Sequence, residues 1–413
     1  MVITINRPEA RNAINSAVSN VPYRINTSNG QSTSNSFLAV QGDGWVNVRE
    51  IRAVGSSSPL DLVWIDDNTW QVQLPVLPGA NFVTLEAYDL QGQLIGTDTV
   101  SYTGTGTIVP ASADNLVISE IMYHPSSPSQ AELTAGFTDQ DDFEFLELLN
   151  ISTDPITLTG LDFSNGITFA FGSSTIAPGG RALLVGNQAG FQARYGGGRP
   201  VIGHYQLADA NKLSNGGEQL TLHDSIGALI RDFTYDDKLP WPVSADGSGH
   251  SLVLRCPEAN PDHSLAINWL PSATVGGTPG TEDGVLFANW RAAHGVTGQA
   301  TNDDDLDQLS NLLEYGFGTD PLDPSSAGPT ASLITDSGGD YLALAVTRSL
   351  TATDILFYPE ISDDLVTWSS DPLEITLFSS LNNGDGTVTE VYRSTTLSAS
   401  LTRQFIRIVV EMK

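Results

Sequence analysis

One short stretch of the chain carries oxygen atoms at the spacing a hard cation requires. In Asn302-Asp303-Asp304-Asp305-Leu306-Asp307-Gln308-Leu309-Ser310-Asn311-Leu312-Leu313-Glu314, Asp303 can be counted as the first position of a loop. Asp305 is then third, Asp307 fifth, Leu309 (through its carbonyl) seventh, Asn311 ninth and Glu314 twelfth. A calcium loop presents its carboxylates, one carbonyl and a closing bidentate glutamate in this order, because Ca2+ takes six to eight oxygens. The sixth position, where a glycine normally makes the turn, is Gln308, which predicts a strained turn and a lowered affinity. The plainer reading is a solvated acidic turn in which one Asp caps the following helix.

A second carboxylate set is more dispersed. Glu120 lies inside the apolar run LVISEIMYHP and Glu147 inside FEFLELLN, while Asp139, Asp141, Asp142 and Glu144 fall in the segment between them. Carboxylates inside apolar strands need partners. Three readings stand: a cation shared by Glu120, Glu147 and the intervening acids, hydrogen bonds from Tyr or backbone N–H groups, or plain solvent exposure. Used as a catalytic acid pair they would suggest a glycosidase, but the sequence supplies neither an aromatic-lined cleft nor a distinct acid.

Other chemistries find little support. The histidines are His124, His204, His223, His250, His263 and His294, and their spacing fits neither a helical HExxH zinc site nor a finger. Gly-x-Ser-x-Gly does not occur, and Asp246-Gly247-Ser248-Gly249 reads as a turn. Tyr195-Gly196-Gly197-Gly198 lacks the lysine and helix of a phosphate cradle. No catalytic residue and no enzymatic activity is assigned.

The elements that must position these groups are mostly short strands. Runs of four to eight strand-forming residues, bounded by Gly, Pro, Asn or Asp, recur through the chain. Pro178-Gly179-Gly180, Asn215-Gly216-Gly217, Asn383-Gly384 and Asp385-Gly386 are turn sequences. Leu183, Val185, Phe191, Leu220 and Leu222 are expected in the core, and Phe82, Leu85 and Tyr88 are expected to mark one half-buried strand. The helix-like runs lie between residues 285 and 317, where Phe287 and Trp290 should pack. Phe405, Ile408 and Val410 should belong to a last core strand.

Forty-eight acidic residues against 18 basic ones give a net charge of -30 over 413 residues. Such a surface repels phosphate backbones and anionic headgroups and attracts divalent cations, so nucleic acid is excluded as a partner. No apolar run reaches the roughly 18 residues of a membrane span, and membrane insertion is not expected. The single Cys256 allows no disulfide within the chain and reads as buried packing. The N-terminus lacks the basic start and apolar core of a signal peptide, so the chain is read as a fragment of a longer exported protein or as one that stays inside.

Several stretches resemble known families. From Ile118-Ser119-Glu120-Ile121-Met122-Tyr123-His124-Pro125 through Glu144–Asn150, Leu158–Ser164, Ile176–Gly180 and Leu213–Glu218, the segment 114–281 resembles the lamin tail domain of bacterial extracellular proteins. Trp241-Pro242, Asp246–Leu252 and Gly277-Thr278-Pro279-Gly280 close that resemblance. It implies an immunoglobulin-like β-sandwich, with Leu161 in place of the usual Trp and an acidic insertion at 126–143. The loop 303–314 resembles the calcium loops of dockerins, thrombospondin type 3 repeats and EF-hands, which implies bound Ca2+. Residues 37–109 resemble small immunoglobulin-like modules, including those that follow CotH-type kinase domains, and S-x-D-L-V-T-W resembles a C-terminal module of bacterial exported proteins. Residues 2–18 resemble only locally the start of enoyl-CoA hydratases, without the frame their chemistry needs.

The expected fold class is therefore all-β: multidomain immunoglobulin-like β-sandwiches with a short helical calcium-loop connector. The expected order is a linker or non-native N-terminal segment (1–36), a small β domain (37–109), a lamin-tail-like sandwich (114–281), the connector (285–326) and a C-terminal β domain (331–413). The expected function is a non-catalytic extracellular or cell-surface adhesion, scaffold or binding module with structural calcium, its partner an unknown protein or polysaccharide. Two alternatives stand beside it. One is an accessory region of a larger secreted kinase or hydrolase; the other is a carbohydrate-binding module, which would need Trp64, Trp70 and Trp241 on an exposed face.

Overall fold

The computed structural model describes residues 21–45, 47–56, 59–205, 211–326, 328–336 and 338–412. The enoyl-CoA-hydratase-like stretch 2–18 lies outside them. The described chain is largely β-sheet, organised as several multi-stranded sheets with short helices, in keeping with a multidomain β-sandwich protein. Among the described residues no helix is long and apolar enough to cross a membrane. The chain divides into two compact units, one comprising 1–116, 150–180 and 220–232 and the other 117–149, 181–219 and 233–413.

The first unit holds two four-stranded sheets near its N-terminus. One runs in the order Arg24–Ile25, Phe37–Asp43, Thr69–Pro75, Val63–Trp64; the other runs Gln31–Thr33, Leu94–Gly104, Gly79–Tyr88, Glu50–Ala53. They share one apolar core of Val40, Ile51, Trp70, Val72, Leu74, Leu85, Val100 and Tyr102. Trp70, Val72 and Leu74 show the period of two that puts alternate side chains on one face. The same rule corrects the expectation for the strand Gly79–Tyr88. Phe82 and Leu85 are three apart and must face opposite ways; Leu85 and Ala87 are fully buried, whereas Phe82 is 75% exposed. The unit also contains the strands Val109–Pro110, Ile156–Thr157 and Thr175–Ile176 in one small sheet, and pairs Asp162–Asn165 with Phe169–Ala170.

The second unit contains a six-stranded sheet in the order Val201–His204, Arg181–Val185, Phe145–Asn150, Leu116–Met122, Leu252–Leu254, Trp269–Pro271. Its two central strands are buried along their whole length. Phe145 stands opposite Val185 and Glu147 opposite Leu183, so these four share one face. Met122 joins Phe145, Leu183, Val185 and Phe191 in a cluster on it, and Glu120 lies two residues before Met122 on the same side. An apolar face of this sheet therefore carries two glutamates. The helix Gln188–Tyr195, capped by the Asn187 side chain, contributes Phe191 and Tyr195 to that face.

The rest of this unit has a four-stranded sheet (Thr330–Asp336, Gly339–Ser349, Thr387–Ser394, Ile375–Asn382) and a pair formed by Ile355–Ser362 and Phe405–Met412. Ile408 and Val410 pack on a core with Phe317, Phe357 and Tyr392, while Phe405, at the strand's start, is half-buried. Phe287 and Trp290 pack with Tyr315, Ala352 and Ile355, which ties the helices Phe287–His294 and Asn311–Phe317 to each other. Cys256 is buried. Gly384 and Gly386, at positive φ, make the turn into Thr387–Ser394.

Candidate metal centre

The loop before the helix Asn311–Phe317 alternates in exposure. Asp303, Asp305, Asp307 and Leu309 are half-buried, whereas Asp304, Leu306 and Gln308 are exposed. Side-chain-to-backbone bonds fold it: Asp303 accepts from Leu306 N–H at 2.7 Å and Gln308 N–H at 2.9 Å, Asp305 from Asp307 N–H at 3.2 Å, and Asp307 from Leu309 N–H at 2.7 Å. One oxygen of Asp305 and one of Asp307 are left buried with no hydrogen-bond partner. Ligand atoms of Asp303, Asp305 and Asp307 lie within 4.8 Å of one another. The turn needs positive φ at two non-glycine residues, Leu306 at 69° and Gln308 at 78°, the strain expected where Gln308 replaces glycine.

Glu314 stands on the following helix, where Ser310 caps the first turn; the group of ligand atoms within 4.8 Å of one another comprises Asp303, Asp305 and Asp307 and does not include it. Its side chain is fully buried, and neither carboxylate oxygen has a hydrogen-bond partner. Burial first, and then the charges of Asp305, Asp307, Asp303 and Asp320, push its pKa up to about 7. Desolvation, followed by Asp307 and Asp303, raises Asp305 as well. A buried, unpaired carboxylate facing three others is costly by itself, and a divalent cation removes that cost. Asn311 is buried and donates to the Gln299 carbonyl at 3.0 Å and to Asp304 at 3.3 Å, leaving its Oδ1 without a partner. Asp304 is thereby tied to Asn311 and Gly298 N–H. Asp320, which sequence spacing did not single out, adds to the negative field on Glu314; its only advance signal was the T-D-P that follows the helix.

The acids around Glu120 are arranged differently from expectation. The insertion does not join Glu120 and Glu147, because each of its acids has its own partner. Asp139 caps the short helical turn Gln140–Phe143, Asp141 pairs with Lys212 at 2.7 Å, and Asp142 accepts from Asn187 at 2.8 Å. Glu144 accepts from Tyr205 Oη and Leu213 N–H, both at 3.0 Å, and burial drives its pKa up to about 9. The group that does meet the two glutamates is Asp283, with ligand atoms of all three within 4.8 Å of one another. Its signal in the sequence was the T-E-D-G that follows Gly277-Thr278-Pro279-Gly280.

That glycine-rich loop is shaped to the glutamates. Thr278 N–H donates to Glu120 at 3.0 Å and Gly280 N–H to Glu147 at 2.6 Å. Gly277 and Gly280 both have positive φ, and a Cβ on Gly277 would run into the Glu120 carboxylate. Ser251 donates to Glu120, Ser119 donates to Glu147 at 2.7 Å, and Arg181 pairs with Glu147 at 2.9 Å. Thr278 Oγ1 donates to Asp283.

Four of the six histidines are held by partners within the fold. His124 contacts Asp246, His250 the Ser272 carbonyl, His263 the Pro261 carbonyl and His294 the Trp290 carbonyl. Trp70 is fully buried and Trp241 is 7% exposed, while Trp64 packs against the first unit's N-terminal core. These tryptophans therefore do not form the open aromatic face that the carbohydrate-binding alternative requires.

With this geometry in view, comparison with known proteins adds one family. The Lamin Tail Domain family model matches residues 109–237, so the chain carries a lamin-tail-like domain. No curated protein matches the chain. Among solved structures, the Bacteroides ovatus mixed-linkage glucan utilization locus protein SGBP-B, in complex with a mixed-linkage heptasaccharide, is 11% identical over 40% of this chain and 47% of its own, at a TM-score of 0.14. The chain thus spans about half of that protein's length. The D00-D0 domain of Intimin is 11% identical over 52% of this chain and 96% of its own, at a TM-score of 0.13. Scores this low transfer neither shape nor activity.

Proposed function

We propose that this chain is a non-catalytic scaffold and binding segment of an extracellular or cell-surface protein, in which Ca2+ at Asp303, Asp305, Asp307, the Leu309 carbonyl, Asn311 and Glu314 fixes the helical connector between a lamin-tail-like domain and a C-terminal β domain. The observation that carries it is Glu314: fully buried, with both oxygens unpartnered, among three loop aspartates. Calcium would neutralise this group and hold the helix Asn311–Phe317, whose Tyr315 and Phe317 serve two separate apolar clusters. The ion's role is thus structural. The acidic balance of -30 favours cations and disfavours nucleic acid. The immunoglobulin-like assignment of the sheets and the placement outside the cell belong to the same proposal, with the lamin-tail match as support.

Isothermal titration of the chain with Ca2+, wild type against Asp305→Ala, tests it. The expected result is a binding event in the wild type that Asp305→Ala weakens at least about tenfold, since a direct oxygen ligand is lost. Identical heats for the two proteins would overturn it.

A further inference from the structure

The acids on the six-stranded sheet make a separate arrangement. Glu120 and Glu147 come from neighbouring strands, Leu116–Met122 and Phe145–Asn150, and alternation puts both on the face that carries Met122, Phe145, Leu183 and Val185. Both glutamates are fully buried. Asp283 reaches them from the end of the glycine-rich loop. Arg181 pairs with Glu147 and is the one cation paired with a member of the trio among the described ion pairs. The trio therefore carries more negative charge than its paired cation neutralises.

The hydrogen bonds around the trio orient the acids without saturating them. Glu120 Oε1 accepts from Ser251 and Thr278 N–H, yet Oε2 is buried with no hydrogen-bond partner. Glu147 is held through both oxygens by Ser119, Arg181 and Gly280 N–H. Such surrounding donors fix carboxylates in place around an ion. With Ca2+–oxygen bonds of about 2.3–2.6 Å, two ligands of one ion stand no more than about 5 Å apart, a limit met by the trio, whose ligand atoms all lie within 4.8 Å of one another.

We propose that Glu120, Glu147 and Asp283 hold a hard divalent cation of the Ca2+ class, which pins the loop 275–283 to the sheet of the lamin-tail-like domain. The ion answers the unpartnered Glu120 oxygen and the excess charge together. A shared proton, the competing solution, joins two of the acids and neutralises one charge; with Arg181 on Glu147 it still leaves one of the three negative charges uncompensated. The assignment does not depend on calcium at the loop Asp303–Glu314, since the two sets share no residue.

The test is carried out on the full chain with Asp305→Ala, which weakens the loop, at ion concentrations below those the weakened loop needs. Thermal unfolding is followed by circular dichroism in chelator, in CaCl2 and in MgCl2, and the number of bound ions is read by titration. The expected result is that one of the two ions still raises Tm by several degrees, and that adding Asp283→Asn removes this shift and lowers stoichiometry by one ion per chain. Asp283 lies in a loop and is only half-buried, whereas Glu120 is fully buried within a central strand, so its variant should fold even where Glu120→Gln does not. No ion-dependent shift in Asp305→Ala, or a shift that Asp283→Asn leaves unchanged, would overturn the site. Failure of the loop reading shows separately, as a wild type that loses no ion on Asp305→Ala.

Discussion

A carboxylate on a buried sheet face can be tolerated by protonation, by hydrogen bonds and a cationic side chain, or by a bound ion. Glu144 and Glu147 present the first two within a few residues, and the third is the one proposed above for Glu120. Glu144 shows the first: its neighbours are Tyr205 Oη, Leu213 N–H and the Asp141–Lys212 pair, and burial outweighs them to give a pKa of about 9. Because this value lies above the unfolded one of about 4.3, the folded state binds the proton more tightly. Glu144 therefore stabilises fully below about pH 4, and that contribution is lost as pH rises towards 9. We expect the unfolding free energy to decline through this window with a slope of at most about 1.4 kcal/mol per pH unit from this group. Glu144→Gln should flatten the decline; urea unfolding at a series of pH values measures both.

At the scale of elements, strand and loop divide the work. The strands Leu116–Met122 and Phe145–Asn150 bring Glu120 and Glu147 to one face, and the loop 275–283 approaches closely enough to donate N–H groups only because Gly277 has no Cβ. The loop before the helix Asn311–Phe317 shows the opposite case, with positive φ imposed on Gln308. Gln308→Gly should relieve that strain and stabilise the chain in chelator by up to about 1 kcal/mol. It should also tighten calcium, because the binding-competent loop is formed at lower cost. Denaturant midpoints and calcium titration of the variant check the two outcomes; a lower midpoint would show that the turn is not strained.

For the whole molecule, the last strand is the most exposed dependency. Phe405–Met412 is paired with Ile355–Ser362 along its full length, and Ile406, Ile408 and Val410 cover the core around Phe317 and Phe357. Ending the chain before Phe405 would leave Ile355–Ser362 as an open edge beside an uncovered apolar core. Light scattering and size-exclusion chromatography of the truncated protein should show aggregation. A monodisperse product of normal Tm would remove this strand from the fold's requirements.

The sequence by itself determined the all-β character, the turns and the alternation that buries Leu220, Leu222, Leu183 and Val185, because period and turn chemistry are local properties. The candidate loop from Asp303 to Glu314 could be singled out in the sequence, since its oxygens lie within twelve consecutive positions. Where pattern was read without strict parity it failed, as Phe82 shows, because one strand face cannot take residues three apart. What only the tertiary structure decided is the company each buried acid keeps. The acids of the 126–143 insertion and Glu144, near Glu147 in sequence, turned to Lys212, Asn187 and Tyr205. Asp283, far along the chain, came to Glu120 and Glu147. Strand pairing and loop return set that choice, and both are long-range geometry: a carboxylate's partner is fixed by where the sheet's neighbours and the returning loop stand in space, which spacing along the chain does not encode.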